Sequence, residues 1–317
     1  MLFRKQKGIR RTIERDVSMK CGKILMIVNP RAGKMTFHNS FYAVIKTLSL
    51  AGYEVSVHFT SCPGDATDTV LLNAKNYDMI LACGGDGTLN EVLTGVMRAE
   101  RPLRLGYIPC GSTNDFAATL GIPQKPQEAV GQILQEQFIQ MDLGSFNERF
   151  FTYTASFGAF TATSYETSQN LKNALGHLAY VLNGAKQLVN MKRIPMRIEA
   201  KEHTEEGVYL YGGVTNTTTI GGVYSLPEEE VELNDGKFEV MMVRYPKTVP
   251  EYTSTVLNLA VRNYNDPNIL FFHTDHVVFE STEAVPFTLD GEFGGDQTRC
   301  EIHCLHNAYT INGTRER

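Results

Sequence analysis

Between Lys23 and Gly144 the chain repeats one unit: a short apolar run, a loop, an amphipathic stretch, then the next apolar run. The runs are KILMIV (23–28), YEVSVHF (53–59), DMILAC (78–83), RLGYI (104–108) and FIQMDL (138–143). Each is strand-sized. Between the first two, Phe37, Phe41, Val44, Ile45 and Leu48 fall near helical spacing, and Gly52 stands where a helix would stop. Strand followed by helix, repeated, leaves few architectures open: a mostly parallel sheet with helices covering both faces. Ligands of such sheets bind at the carboxyl ends of the strands, so the loops after the runs are the places to search for chemistry.

After Gly144 the texture changes. RFFTYTASFGAF, PMRIEAK, VYLYGGVT, GKFEVMMVRY and ILFFHTDHVVFES are β-branched and aromatic runs broken by turn residues, and CEIHCLHNAYTI ends the series. Helices are expected around Ser164–Asn190 and Val249–Arg262. Strands in succession predict a second domain, an antiparallel β-sandwich. The expected division is a basic leader over 1–19, an α/β domain over 20–144, rejoined by 303–317, and the β-sandwich over 145–302. Without a low-complexity tract or flexible linker, the two domains are expected to share a tight interface.

Composition narrows the class. With 317 residues, 42% hydrophobic and 21% charged, the chain has ordinary globular values for about two domains. No stretch approaches the ~18 uncharged apolar residues of a membrane span, and the start lacks the apolar block of a signal peptide. Six scattered cysteines make no disulfide framework, which fits a reducing cytoplasm. A net charge of −5 argues against nucleic acid as a partner. That charge is unevenly spread: Met1–Lys23 holds eight Lys/Arg against two acidic residues, so it is +6 and the remainder −11. Such a leader suits anionic lipid head groups, but the preferred reading is a frayed, solvated tail or an upstream start with the working chain beginning at Met19, since basic terminal tails are common.

The strongest local signal is Cys83-Gly84-Gly85-Asp86-Gly87-Thr88-Leu89-Asn90-Glu91-Val92, which follows a strand and opens a helix. Three glycines in four positions bring bare N–H groups against a ligand, and the helix N-terminus adds a field that suits phosphate. An acidic side chain in a phosphate cradle is repulsive unless a cation stands between, so Asp86 points to Mg²⁺ on a polyphosphate. Two companion loops hold equivalent places: Asn29-Pro30-Arg31-Ala32-Gly33-Lys34 after the first run, and Pro109-Cys110-Gly111-Ser112-Thr113-Asn114-Asp115 after the fourth. Neither is a P-loop, since GxxxxGK[ST] occurs nowhere.

GGDGTLNEV (84–92), GSTNDFA (111–117) and LDGE (289–292) together resemble the diacylglycerol kinase catalytic family, in particular its bacterial soluble lipid kinases. The likeness extends over nearly the whole chain from about Lys20. GGDGT alone is shared with NAD kinases and phosphofructokinases; the combination is more specific. The resemblance implies a nucleotide-binding α/β domain, a β-sandwich second domain and an active site in the cleft between them. It implies an ATP- and Mg²⁺-dependent lipid kinase, phosphorylating diacylglycerol to phosphatidic acid, that meets its lipid peripherally at an anionic membrane; a homodimer is left open.

Residue by residue, the likeness implies that Asn29, Pro30, Arg31, Ala32 and Gly33 form a nucleotide loop, with Thr60 near the nucleotide. Gly84, Gly85, Gly87, Thr88, Leu89, Asn90 and Glu91 match the phosphate loop. Ser112 stands where many relatives have Thr and keeps the hydroxyl. Asp86 and Asp115 match acidic residues tied to the catalytic magnesium, and Glu292 matches the general base, with Asp290 as its neighbour. The NDGKF turn (234–238) resembles a loop holding a second Mg²⁺ through Asp235 and the carbonyls of Glu232 and Lys237.

Bland readings stand beside these. Asp235-Gly236 is also a standard hairpin turn. Asp290 and Glu292 flank one glycine and are expected to point the same way, as like-charge neighbours that raise one pKa. Cys300, His303, Cys304 and His306 suggest zinc, but strand alternation puts His303 on the face opposite both cysteines, so that set is rejected. The acidic run Glu228, Glu229, Glu230 and Glu232 reads as a solvated loop. Within enzymes the alternative is NAD kinase, and outside them a lipid-binding regulatory protein without catalysis, which would have no reason to keep Asp86, Asp115 and Glu292.

Overall fold

A computed structural model of the chain describes residues 22–33, 36–99, 101–112, 114–159, 191–201, 203–217, 219–220, 224–225 and 231–314. The basic leader, the helix expected around Ser164–Asn190, and Glu228, Glu229 and Glu230 lie outside the described residues.

The repeating unit folds as a parallel sheet. Strands β1 (Gly22–Val28), β2 (Tyr53–Phe59), β3 (Met79–Gly84) and β4 (Arg104–Pro109) pair in parallel, in the order β2-β1-β3-β4. Helices α1 (Thr36–Leu50), α2 (Asp65–Asn73) and α3 (Asp86–Arg98) make the crossovers, and α4 (Asp115–Thr119) and α5 (Pro126–Leu134) follow β4. The central strands show why the runs are continuously apolar: Ile24–Val28 and all of β3 are buried, because helices cover both faces. Val44 and Leu48 of α1, Val70 of α2, Leu89 and Val92 of α3 and Ile133 of α5 close over them. Each such aliphatic side chain contributes about 1.5–3 kcal/mol by leaving water. At the edge, β2 has no fully buried residue.

The fifth run departs from expectation. Strand β5 (Phe138–Phe146) does not continue the parallel series; it pairs antiparallel with β6 (Arg149–Phe151) and with the last strand, β15 (Glu292–Asn312). The place beside β4 is taken by β15 itself, which runs parallel to it through Thr310↔Arg104 and Ile311↔Leu105. The Asn312 side chain seals this join, accepting from the Tyr107 N–H at 2.6 Å and donating to the Tyr107 carbonyl at 3.3 Å. Local apolarity announced β5 as a strand, but its direction depends on a partner more than 150 residues later in the chain.

The remaining strands are β7 (Thr154–Gly158), β8 (Ile194–Ala200), β9 (His203–Thr215), the short pair β10 (Thr219–Ile220) and β11 (Tyr224–Ser225), β12 (Phe238–Arg244), β13 (Ile269–Thr274) and β14 (His276–Leu289). Apart from β10 and β11, which pair with each other, they form an antiparallel sheet, β13-β12-β9-β7-β14-β15, continuous with the parallel one. The long strands β9 and β14 each pair with β7 along one part and β8 along another, so the sheet folds back on itself where two separate sheets were expected. Its interior is aromatic: Phe157 lies 5.8 Å from Phe279 and 5.0 Å from Phe287, ring centre to ring centre. The helix expected near Val249 is α6 (Val249–Ala260), capped by Thr248, whose side chain accepts the Glu251 N–H.

Candidate active site

Three loops meet at the carboxyl edge of the parallel strands. Asn29 after β1 donates through Nδ2 to the Thr88 hydroxyl of α3 at 3.1 Å, tying the first loop to the second. The second and third touch backbone to backbone: a Cβ on Gly111 would stand 2.6 Å from the Gly85 Cα. No side chain larger than hydrogen fits at Gly111 without a backbone shift, and a Cβ on Gly85 would be tight against it at 3.3 Å, which favours glycine on both loops. Buried Asn114, with φ 53°, locks the third loop by accepting the Gly111 N–H at 2.8 Å and donating to the Gly111 carbonyl and to Gln124. Together the loops wall a cavity of about 410 Å³.

Glu292 joins this wall from the other end of the chain. The β14–β15 hairpin turns at Asp290 (φ 50°) and Gly291 (φ 83°), the pair of left-handed residues that a two-residue turn requires. The turn delivers Glu292 onto the N-terminus of α3: a Cβ on Gly87 would lie 2.6 Å from Glu292 Oε1. Asp290 faces elsewhere. Its Oδ2 accepts from the Thr152 N–H (2.7 Å), the Thr152 hydroxyl (2.8 Å) and Asn90 Nδ2 (2.9 Å), and its Oδ1 from the Tyr153 and Thr154 N–H groups (2.9 and 3.1 Å). The like-charge couple expected of Asp290 and Glu292 is therefore absent. The left-handed turn sends the Asp290 carboxylate back into five donors, and its pKa is raised by burial rather than by its neighbour.

The electrostatics of the loops centre on Asp86, the first residue of α3. Burial, then the nearby Asp115 carboxylate, pushes Asp86 up to about 6, while the Asp115 N–H donates to its Oδ2 at 3.1 Å and opposes the rise. Asp115, whose side chain still reaches solvent, is raised by partial burial. Tyr107 stands beneath with its hydroxyl 3.5 Å from Asp86 Oδ1. A half-buried carboxylate held against a second carboxylate at a helix N-terminus is a hard-oxygen donor set that a divalent cation such as Mg²⁺ would relieve.

Of the expected nucleotide residues, Asn29, Arg31, Ala32, Gly33, Thr60, Gly85, Gly87, Thr88, Glu91 and Ser112 line the cavity. Four do not. Pro30 is exposed in the first turn, Gly84 ends the buried β3, Leu89 packs into the core and Asn90 reaches Asp290 and the Phe150 carbonyl. Ser61, Cys62 and Pro63 also form the wall and escaped the sequence reading. Their signal was position, since they directly follow β2. Asp65 at the start of α2 holds Ser61 through both its N–H and its hydroxyl.

The Glu232–Lys237 turn lies apart from the cavity wall. Asp235 and Lys237 are exposed, and Asp235 Oδ1 accepts the Lys237 N–H at 2.8 Å, an Asx-type turn. Beneath it lies Asp142, fully buried, which the sequence reading passed over: it accepts from the Gly236 N–H (2.6 Å), the Asn307 N–H (2.6 Å) and His306 Nδ1 (3.0 Å). Of the four residues of the rejected zinc set, Cys300 is buried in the core, Cys304 and His306 both meet Asp142, and His303 is exposed on the opposite face.

Comparison with known proteins matches residues 23–146 to the diacylglycerol kinase catalytic domain. The chain is 34% identical over 272 residues to a diacylglycerol kinase of Bacillus subtilis (strain 168), covering 85% of this chain and 89% of that protein. It is 33% identical over 279 residues to a diacylglycerol kinase of Staphylococcus haemolyticus (strain JCSC1435), covering 87% and 83%. A crystal structure from Bacillus anthracis str. Sterne, solved as a candidate diacylglycerol kinase, superposes with a TM-score of 0.76 at 26% identity, covering 93% of this chain and 98% of that one.

Proposed function

The chain belongs to the diacylglycerol kinase family and is a lipid kinase; on that premise we propose that it transfers the γ-phosphate of ATP, with Mg²⁺, to the free hydroxyl of diacylglycerol, forming phosphatidic acid. The observation that carries this reading is the Glu292 carboxylate lying over Gly87, at the mouth of three loops whose backbones enclose one cavity.

In this reading the loops over Asn29–Gly33 and Thr60, with Ser112, hold the nucleotide, and the N–H groups of Gly85–Thr88 face its phosphates. Asp86 and Asp115 face the cation, which when bound neutralises charge on the phosphates. Glu292 takes the proton of the lipid hydroxyl as that oxygen attacks the γ-phosphorus; the bond to the β–γ bridging oxygen breaks and ADP leaves. Asp290 orients the turn that carries Glu292. The second metal is assigned to Asp235 and the carbonyls of Glu232 and Lys237. We assign nucleotide binding to 20–144 with 303–317, and lipid binding to 145–302. No helix among the described residues is long and apolar enough to cross a membrane, so we propose that the enzyme meets its lipid by peripheral contact with an anionic surface.

The test is incubation with γ-labelled ATP and, separately, diacylglycerol micelles, micelles of other hydroxyl lipids, and NAD. Label in phosphatidic acid supports the proposal. Label in another lipid moves the substrate, label in NADP overturns the lipid assignment, and no label anywhere favours a regulatory protein.

A further inference from the structure

Away from the cavity, a cluster of metal-ligating side chains stands on the β14–β15 hairpin. His276 opens β14 and is paired directly across the antiparallel ladder with His303. Glu301 precedes His303 by two residues, so strand alternation brings it to the same face. The two imidazoles stack, with ring centres 4.2 Å apart and planes 16° from parallel. Glu301 Oε1 lies 3.0 Å from His276 Nε2 and 3.2 Å from His303 Nε2. One donor atom from each of the three residues falls within 4.8 Å of the others.

These distances suit a shared ion. A tetrahedral Zn²⁺ with bonds of about 2.0–2.2 Å to nitrogen and oxygen has ligand-to-ligand edges of about 3.3–3.5 Å. The carboxylate oxygen need retreat only a few tenths of an ångström from each imidazole, and the rings need turn from stacked to convergent. The other Glu301 oxygen is already fixed: Arg299 Nη1 lies 3.2 Å from Oε2, and Glu280 in turn holds Arg299 Nε at 3.1 Å. Outer partners of this kind orient a ligating carboxylate and leave its second oxygen for the metal. All three side chains are partly open to solvent, so an ion has a path of entry.

We propose that His276, Glu301 and His303 form a binding site for a borderline transition-metal ion, Zn²⁺ in the first instance, which clamps the start of β14 to β15. Two imidazoles and one carboxylate select such ions over Mg²⁺, which prefers all-oxygen sets. The site lies at the opposite end of β14 from Asp290 and is separate in both place and chemistry from the carboxylates of the phosphate loops.

The test uses the full chain, stripped with chelator and titrated with Zn²⁺ in millimolar Mg²⁺, so that hard-oxygen sites are filled beforehand. Calorimetry should report one tight equivalent, at least tenfold weaker in His276→Ala, in His303→Ala and in Glu301→Gln. Where alanine disturbs the pair, His303→Gln keeps the polar bulk and should lose the same affinity. Zn²⁺ should also raise the melting temperature of wild type and not of the double variant His276→Ala with His303→Ala. Cys62→Ser removes the one cysteine that is exposed among the described residues and should bind as wild type does. The proposal is overturned if wild type binds no zinc, if the double variant binds it equally, or if Cys62→Ser abolishes the binding.

Discussion

Asn90 Nδ2 donates to Asp290 Oδ2 at 2.9 Å, joining the helix of the phosphate loop to the hairpin turn 200 residues later. Through this bond the turn that carries Glu292 is registered against the helix whose N-terminus carries Asp86 and Gly87. In the proposed function, phosphate binding and proton acceptance are thereby brought to one point by one short chain of contacts.

Glu292→Gln keeps the volume over Gly87 and removes the proton acceptor. Turnover should fall by about 10²–10⁴-fold with little change in the KM for ATP. Steady-state kinetics check it, and a variant with wild-type turnover would remove Glu292 from the base role.

Asp86 offers a stability signature independent of catalysis. Its folded pKa is about 6, against about 3.9 for an unfolded Asp. The folded chain therefore holds this proton more tightly, and the stability so gained is full below about pH 4 and lost as pH rises through 6. Above that window the buried charge costs on the order of 3 kcal/mol. Asp86→Asn should be inactive, yet melt higher than wild type at about pH 7.5 without divalent cation, the gain vanishing by about pH 4. Added Mg²⁺ should narrow the gap by stabilising only the wild type. Melting curves across pH decide it; a variant that melts lower at neutral pH contradicts the assignment.

Asp290→Asn puts an amide donor among five donors. At least one of them loses its acceptor, at a cost of about 1–3 kcal/mol. A lower melting temperature should accompany a loss of turnover smaller than that of Glu292→Gln. Unchanged stability would mean that the turn does not depend on this carboxylate.

For the Glu232–Lys237 turn, chelation should lower the melting temperature of wild type more than that of Asp235→Ala, since only an intact site gains from bound cation. Equal shifts in the two would leave Asp235 with its Asx turn alone.

What was legible in the sequence was local. The three loops could be read because each follows an apolar run and precedes a helix start. What was hidden depends on register between distant strands. Leu305 and Ile311 pair with β5 across the sheet, and nothing near 138–143 announces that partner. Alternation along β15 correctly separated His303 from Cys300 and Cys304, but finding His276 needed the pairing of β14 with β15. Asp142 looks like one polar residue in an apolar run; its three donors come from residues 94 to 165 positions further along.

The join at Asn312 also bears on how the chain matures on the ribosome. The edge of β4 away from β3 is covered by Thr310 and Ile311, with Asn312 sealing Tyr107. During synthesis the parallel sheet thus emerges with that edge bare, and stays so until the final strand has left the exit tunnel. An open edge of this kind is a template for pairing with other nascent chains. Dependence on a chaperone is therefore expected to concentrate in the interval between emergence of β4 and emergence of residue 312 from the tunnel. Shortening the C-terminus to before Thr310 should be felt as aggregation of the newly made chain before it is felt as lost catalysis.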